Sequence, residues 1–346
     1  MIVLAGADIV LPDRVLTSAT LVIEDGIILA VEPGARPRDP DSLHVDLTGH
    51  VIVPGFIDVH VHGVEGHDVL DGPGAVRTVA EHLPRWGVTA FCPTTIACSP
   101  AALGGMFDDI ARIRTGGHVT GARVLPAHLE SNFINPEYKG AQPAACLRTP
   151  PRNSRAALAA GRGTDLSPES QTGDGYTADD LLAAIGTYRS DIGIVTMAPE
   201  LEGGLDLVRA LVAAGLRVSL GHSGAIYDEA IAAIDAGARH ATHLFNRMGP
   251  MTHRDPGLTG AVLASGEIAA ELICDGVHVH PAALRVAISA KGAERVMAIT
   301  DGTAGSGLPR GARATLGGRP ILVGDTATLD DGTIAGSVLT MDRAFA

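Results

Sequence analysis

The chain has 346 residues, 46% of them hydrophobic, enough to bury a large core in one principal domain. Its 39 acidic residues outnumber 26 basic ones, giving a formal charge of -13, which disfavours a general binder of nucleic-acid phosphates because that affinity comes from Lys and Arg. No run is long and apolar enough to span a bilayer, and Met1 leads to Asp8 without the basic and apolar regions of a signal peptide. The four cysteines, Cys92, Cys98, Cys146 and Cys274, form no Cys-x-x-Cys pair. The expectation is a protein of the reducing cytoplasm without membrane or nucleic-acid partners, in which Cys274 is a buried, inert thiol.

Along the chain, Ala19 to Glu24 and the run from Ile27 are β-prone stretches joined by Asp25-Gly26, a strong hairpin signal. Pro33 to Asp41, rich in Pro, Gly and charge, reads as a surface connection. From Val51 the pattern alternates apolar strand and helix. Eight strand candidates follow: Val51–Val59, Ala90–Pro93, Arg123–Leu129, Ile192–Met197, Arg217–Leu220, His240–Leu244, Ala269–Ile273 and Arg295–Ile299, with helices between most of them, including Leu205–Ala214 and Ala225–Ala236. Near-continuously apolar strands alternating with helices predict a parallel sheet covered by helices, and eight such units predict a (β/α)8 TIM-like barrel. Thr149 to Gly175 reads as a long loop, and Arg313 to Gly336 as short strands around Gly317-Gly318 and Asp331-Gly332 turns that return beside the N-terminal strands.

Such a barrel places its chemistry at the carboxyl ends of its strands. Strand one ends in His60 and His62, whose side chains share a face, and two neutral imidazoles suit a divalent metal. Taken alone, the pair reads as ordinary polar residues at a loop start. Later strand ends carry Glu130, His222, His243, His278 and Asp301, and this joint placement is what argues for a site. Glu130, His222 and His243 form one candidate metal set; His60, His62, Asp301 and a shared Glu130 form a second. His280, followed by Pro281, marks a helix start rather than a ligand.

The segments Pro54-Gly-Phe-Ile-Asp-Val-His-Val-His-Gly63, His128-Leu-Glu130, Met197-Ala-Pro-Glu200, Gly221-His-Ser-Gly-Ala225 and Thr242-His-Leu-Phe-Asn246 recur in one known family. So do His253-Arg-Asp-Pro-Gly257, Asp275-Gly-Val-His-Val-His-Pro281, Thr300-Asp301 and Gly336-Ser-Val-Leu-Thr-Met-Asp342. Together they cover nearly the whole chain, in order, and it resembles the N-acetylglucosamine-6-phosphate deacetylases of the amidohydrolase superfamily. The resemblance implies a hydrolase that removes acetate from a phosphorylated amino sugar, with Glu130, His222 and His243 as metal ligands. The ion expected is Zn2+, with Fe2+ and Mn2+ as alternatives, and His60 and His62 decide between one ion and two. Asp301 is expected to act as base and then acid. Asn246, Arg254 and His278 are expected to hold phosphate and sugar hydroxyls in a homodimer.

The resemblance also implies a small β-sandwich-like domain built from residues 1–48 and 311–346, the latter shortened relative to the family, around a barrel at 49–310. Near the expected acyl pocket the chain departs from the family's pattern. It has Glu130-Ser131-Asn132 where Glu-Gly-Pro is usual, Gln142 in place of a histidine, and Arg247 in place of an alanine, so Gln142 and Arg247 join the expected substrate contacts. Two other readings remain at this point: an amidohydrolase of a different N-acyl or cyclic amide substrate, and a non-catalytic barrel.

Overall fold

The computed structural model describes residues 1–36, 39–116, 120–161 and 175–346. Two compact units are formed, Met1–Phe56 and Ile57–Ala346. In the first, β1 (Ile2–Val10), β2 (Val15–Glu24), β3 (Ile27–Glu32), β4 (Leu43–Asp46) and β5 (Val51–Ile52) make one sheet in which β1 pairs with β2, β4 and β5. The expected hairpin joins β2 to β3. Asp25 and Gly26 both take positive φ, 50° and 76°, the conformation that a two-residue turn matching strand twist requires.

The second unit contains β6 (Phe56–Val61), β7 (Gly63–Val64), β8 (His67–Asp68), α1 (Ala75–His82), β9 (Val88–Thr95), α2 (Pro100–Thr115), β10 (Arg123–Val124), β11 (Ala127–Glu130) and α3 (Ser154–Ala160). It continues through α4 (Ala178–Thr187), β12 (Ile192–Met197), α5 (Gly204–Ala213), β13 (Arg217–Leu220), α6 (Tyr227–Asp235), β14 (His240–Ala241), α7 (Gly257–Ala264), β15 (Ala269–Ile273), α8 (Pro281–Lys291) and β16 (Val296–Ile299). The strands run in the order β6-β9-β11-β12-β13-β14-β15-β16, with β10 as a third partner of β9. From β9 to β16 every recorded pairing is parallel. The ring is closed just beyond the ends of its first and last strands: the Asp301 N–H donates to the His60 carbonyl at 2.9 Å, and the His62 N–H to the Gly302 carbonyl at 2.8 Å. The fold is therefore the (β/α)8 barrel expected from strand alternation.

Several boundaries differ from the sequence expectation, each for a local reason. The run from Val51 splits at Pro54-Gly55: Val51–Ile52 pair with β1, and the barrel strand starts at Phe56. Pro126, which has no N–H to donate, likewise separates β10 from β11. β14 ends at Ala241 because the chain then turns through His243, Phe245 and Arg247, all with positive φ. The expected loop after Thr149 contains α3, capped by the Asn153 side chain accepting from the Ala156 N–H, and residues 162–174 lie outside the described residues. Pro281 opens α8 as expected, with His280 Nδ1 accepting from the Ala282 N–H.

The final segment forms β17 (Arg313–Leu316), β18 (Arg319–Val323), β19 (Ala327–Thr328) and α9 (Met341–Phe345), with β17 to β19 in an antiparallel sheet of their own. Leu316, Ile321, Ala327 and Leu329 pack on Ile96 at the barrel mouth. The Gly336-to-Asp342 motif straps the last strand end. Ser337 donates its N–H to the Asp301 carbonyl at 2.8 Å and its Oγ to the Thr300 carbonyl at 2.5 Å, while the Leu339 N–H donates to that Oγ at 3.0 Å. Ser337→Ala leaves the buried Leu339 donor and one side-chain tie to Thr300 unsatisfied, and a loss of about 1–3 kcal/mol in thermal or urea denaturation is expected. Unchanged stability would show that the strap does not hold the strand end.

Candidate metal centre

The strand ends meet at the floor of a cavity of about 490 Å³ lined by His62, Glu130, Gln142, His222, His243 and Asp301, with Asn246, Arg247 and His278 among its other walls. The six expected ligands converge. Glu130 Oε1 lies 2.9 Å from His222 Nε2 and 3.0 Å from His243 Nε2, and those two nitrogens are 3.1 Å apart. Asp301 Oδ1 lies 3.3 Å from His60 Nε2 and 3.2 Å from His62 Nε2. Glu130 bridges the two sets, with Oε1 3.8 Å from His60 Nε2 and Oε2 3.8 Å from His62 Nε2.

The hydrogen bonds behind these rings fix their tautomers. His62 Nδ1 faces the Thr94 carbonyl at 3.0 Å and His222 Nδ1 the Tyr138 carbonyl at 2.8 Å. A carbonyl only accepts, so each Nδ1 carries the hydrogen and each Nε2 presents a bare lone pair to the cavity floor. His60 Nδ1 donates to Glu271 Oε2 at 2.9 Å, which turns Nε2 to the floor, where it is buried without a hydrogen-bond partner. Lone pairs aimed at carboxylate oxygens, two ring nitrogens 3.1 Å apart and an orphaned buried nitrogen are the donor chemistry of a cation site, and the residues fit a divalent metal.

Electrostatics agrees. Burial alone would raise the Glu130 carboxyl, but His222, His243 and His60 more than offset it and hold the group well below the usual carboxylate range. Burial likewise opposes ionisation of Asp301, and His60, His62 and His243 hold it below its ordinary value. For His60, burial opposes the charged form, yet Glu271, Asp301 and Glu130 together pull the ring up to about 10. The floor is an anionic pocket that draws in positive charge.

Three of these residues stand in left-handed backbone: His222 at φ 48°, His243 at 27° and Asp301 at 48°. Such positions cost about 1–3 kcal/mol each for a side-chain-bearing residue and persist where the surroundings over-determine them. Around His222 those surroundings include Glu200, from the Met197-to-Glu200 motif. It accepts from the Gly224 N–H at 2.7 Å, from Ser223 Oγ at 2.7 Å and from Asn135 Nδ2 at 2.9 Å. Beneath the floor, buried Asp58 accepts from Thr300 Oγ1 at 2.6 Å and from the His60 N–H at 3.2 Å, and burial pushes its carboxyl up to about 6.

Sequence reasoning missed Glu271 and His240. Glu271 is fully buried inside the barrel and accepts from His60 Nδ1, from His240 Nε2 at 2.8 Å and from the His243 N–H at 3.1 Å. Burial opposes its charge, and His60, His240 and His128 overcome that to hold it well below the usual value. The signal was present: a glutamate in the middle of the apolar run Ala269–Ile273. His128, Glu271 and His60 form a third cluster of possible ligands, but His128 Nδ1 donates to the Val59 carbonyl at 2.9 Å and Nε2 pairs with Thr196 Oγ1 at 2.7 Å. Burial pushes that ring down to about 3, so it is a neutral, hydrogen-bonded core residue.

The expected substrate contacts divide. Asn246, Arg247, His278 and Gln142 line the cavity, whereas Arg254 is exposed and absent from its lining. His278 Nδ1 pairs with Asp275 Oδ2 at 2.6 Å, and its buried Nε2 has no partner. Of the departures from the family pattern, Ser131 and Asn132 turn into the protein: Ser131 Oγ donates to the Thr196 carbonyl at 2.5 Å, and Asn132 Nδ2 to the Cys98 and Cys146 carbonyls at 2.8 and 2.7 Å. Gln142 Oε1 accepts from the Ala97 N–H at 2.7 Å, which directs its Nε2 to donate to Glu130 Oε2. The four cysteines are unpaired; burial pushes Cys92 up to about 12 and also raises Cys274, which is half-buried rather than enclosed.

A carboxylate and imidazole cluster at the carboxyl mouth of a (β/α)8 barrel, at the floor of an open cavity, defines a metal-dependent hydrolase. Residues 51–310 match the amidohydrolase family. The chain belongs to that family, and within it to the group that contains the N-acetylglucosamine-6-phosphate deacetylases. It is 34% identical to the N-acetylglucosamine-6-phosphate deacetylase of Bacillus subtilis (strain 168), over 97% of this chain and 79% of that one. It is 33% identical to the N-acetylgalactosamine-6-phosphate deacetylase of Escherichia coli O157:H7, over 94% and 77%. Among solved structures, a variant of the Mycobacterium smegmatis N-acetyl-D-glucosamine-6-phosphate deacetylase in complex with N-acetyl-D-glucosamine-6-phosphate superposes with a TM-score of 0.82, at 30% identity, covering 99% of this chain and 82% of that one. Among the described residues no helix is long and apolar enough to cross a membrane.

Glu271→Gln keeps the volume of the buried residue but removes the anion that sets the His60 tautomer. Metal affinity at the His60, His62 and Asp301 set is expected to fall about 10–100-fold, with the Glu130, His222 and His243 set retained. Elemental analysis across a chelator titration reads both. Full retention at both sets would exclude a role for Glu271 in orienting His60.

Proposed function

We propose that this protein hydrolyses the N-acetyl group of N-acetylglucosamine 6-phosphate, or a close amino-sugar phosphate, to acetate and the free amino-sugar phosphate in amino-sugar catabolism. The observation that carries the reading is the joint one of a deacetylase-group chain whose six ligand-type side chains converge at the floor of a cavity of ligand size. A cytoplasmic, homodimeric zinc enzyme is the form we infer, with Fe2+ or Mn2+ as substitute ions. Zinc is supported by mixed imidazole and carboxylate donors 2.9 to 3.3 Å apart, near the roughly 3.3 Å between two donors of a tetrahedral ion with bonds of about 2.0–2.1 Å.

In this reading Glu130, His222 and His243 hold the principal ion, and His60, His62 and Asp301 a second. When bound, the ion polarises the amide carbonyl and lowers the pKa of water at neutral pH. Asp301 is the proton carrier: its carboxyl is ionised, faces the cavity floor and can accept a proton from the attacking water. As the carbon–nitrogen bond breaks, the acyl carbon keeps the oxygen of that water and leaves as acetate, and Asp301 returns the proton to the amine. Gln142 holds Glu130 in place from behind. His278 Nε2 and Asn246 suit the sugar and its phosphate, while Arg254, exposed outside this cavity, is assigned to the neighbouring subunit's phosphate in the dimer.

Asp301→Asn is expected to lower acetate release about 10²–10⁴-fold. Elemental analysis of the same preparation separates loss of proton transfer from loss of the ion. Chelation should abolish turnover, with recovery on adding zinc. Metal-loaded protein that releases no acetate from any phosphorylated N-acetyl hexosamine overturns the assignment, and failure to bind stoichiometric metal favours a non-catalytic barrel.

A further inference from the structure

The cavity is graded from floor to rim. Glu130, His222, His243 and Asp301 are buried at the reacting end, Asn246 and His278 are half-buried, and Arg247 is exposed. A substrate whose reacting amide reaches the floor therefore presents its far end to the rim, where Arg247 stands with exposed Glu137 and Val277. Among the described residues lining the cavity, Arg247 is the one Lys or Arg. Lys139, nearby in sequence, turns its Nζ to the Gly140 carbonyl at 3.2 Å and does not line the cavity.

Arg247 is also held in place. Its backbone is left-handed, φ 53°, and its carbonyl accepts from the Ser223 N–H at 3.0 Å, which pins it to the loop that carries His222. Its side chain lies flat along Gly140: a β-carbon at that glycine would come within 2.6 Å of Arg247 Nε and 3.1 Å of both Cδ and Cζ. Gly140 itself has φ 57°, so the bare backbone there serves both the turn and the arginine laid across it. The guanidinium nevertheless has no hydrogen bond or ion pair among the described residues, although Glu137 lines the same cavity. A strained arginine, ordered against a glycine and left without a hydrogen-bond or ion-pair partner among the described residues, has its planar fork of donors open for an anion.

We propose that Arg247 is the specificity residue through which this chain recognises the phosphate of its substrate from within a single subunit. The inference rests on the deacetylase reading above, and it assigns the substrate's charge to a residue that stands where an alanine is usual. A phosphate at this place takes paired N–H donors from Arg247, with the buried, unpartnered Nε2 of His278 lining the same cavity.

The test compares acetate release from N-acetylglucosamine 6-phosphate and from unphosphorylated N-acetylglucosamine, using the zinc-loaded full chain. Wild-type protein is expected to prefer the phosphorylated sugar, and in Arg247→Ala the ratio of the two kcat/KM values is expected to fall about 10–100-fold, mainly through KM of the phosphorylated sugar. Arg247→Lys, which keeps the charge and loses the fork, is expected to recover part of the ratio. Gly140→Ala, which displaces the arginine, is expected to lower it. Binding of glucose 6-phosphate measured by calorimetry gives a readout independent of turnover and should weaken in parallel. If the wild type prefers the phosphorylated sugar and Arg247→Ala keeps both that preference and glucose 6-phosphate binding, the assignment of Arg247 is overturned while the deacetylase reading stands. If the wild type deacetylates no phosphorylated sugar, both fall together.

Discussion

Three backbone hydrogen bonds, two of them onto the Gly302 carbonyl, hold the functional end of this barrel together. Its first and last strands share no ladder; the ring closes where the Asp301 N–H meets the His60 carbonyl and the His62 N–H meets the Gly302 carbonyl. The residues that close the fold are thus members of the candidate metal-ligand set, or their immediate neighbours. Asp301 is brought within 3.3 Å of His60 Nε2 by the same contact that completes the barrel, and Ser337 fastens that contact from the outside by way of the Asp301 and Thr300 carbonyls. Disturbing the closure separates the donors. Building the site and finishing the fold are one event.

Below that seam the barrel interior is charged rather than oily. Glu271 occupies the middle of a strand and is satisfied by His60, His240 and the His243 backbone, so a buried anion is tolerated because three donors surround it. Its charge is felt at the floor through His60, whose ring it turns. His128, one layer away, is neutral and fully hydrogen-bonded, and so limits the metal-ready donors to those at the strand ends. Position in the barrel separates candidate ligands from look-alikes that share the same residue types.

Much of this was legible in the sequence because strand ends in a parallel barrel are marked twice, by the apolar run before them and by the polar residue after it. His60 with His62, Glu130, His222, His243 and Asp301 all carry that double mark, and all six converge. Glu271 and His240 carry only half of it: they sit within or at the start of an apolar stretch, where inward and outward positions cannot be told apart until the barrel closes. The strand boundaries at Pro54 and Pro126 were visible as missing donors, but which partner each fragment would choose depends on contacts far away in sequence. The turn after β14 was hidden for a different reason. Three left-handed residues, His243, Phe245 and Arg247, are unfavourable locally, and only tertiary anchors such as the Ser223 N–H on the Arg247 carbonyl stabilise them. Ser131 and Asn132 stand beside Glu130 in sequence yet face the protein, because β11 ends at Glu130 and their side chains are held by the carbonyls of Thr196, Cys98 and Cys146, which are distant in sequence.

The ring orientation of His62 and His222 depends on main-chain oxygens, those of Thr94 and Tyr138, rather than on side chains. A side-chain partner can be erased by one codon change; a peptide carbonyl is supplied by whatever residue occupies the position. The lone-pair direction of these two histidines is therefore written into the path of the chain and is indifferent to the identity of the residue behind it. Of the three rings held from behind, His60, which leans on Glu271, is the one exposed to loss of its partner by a single substitution. Substitution at position 94 or 138 leaves the carbonyl behind each ring in place, although the Thr94 hydroxyl also accepts from the Val61 N–H between the two strand-one histidines, while substitution at position 271 removes the partner of His60 and leaves those of His62 and His222 standing.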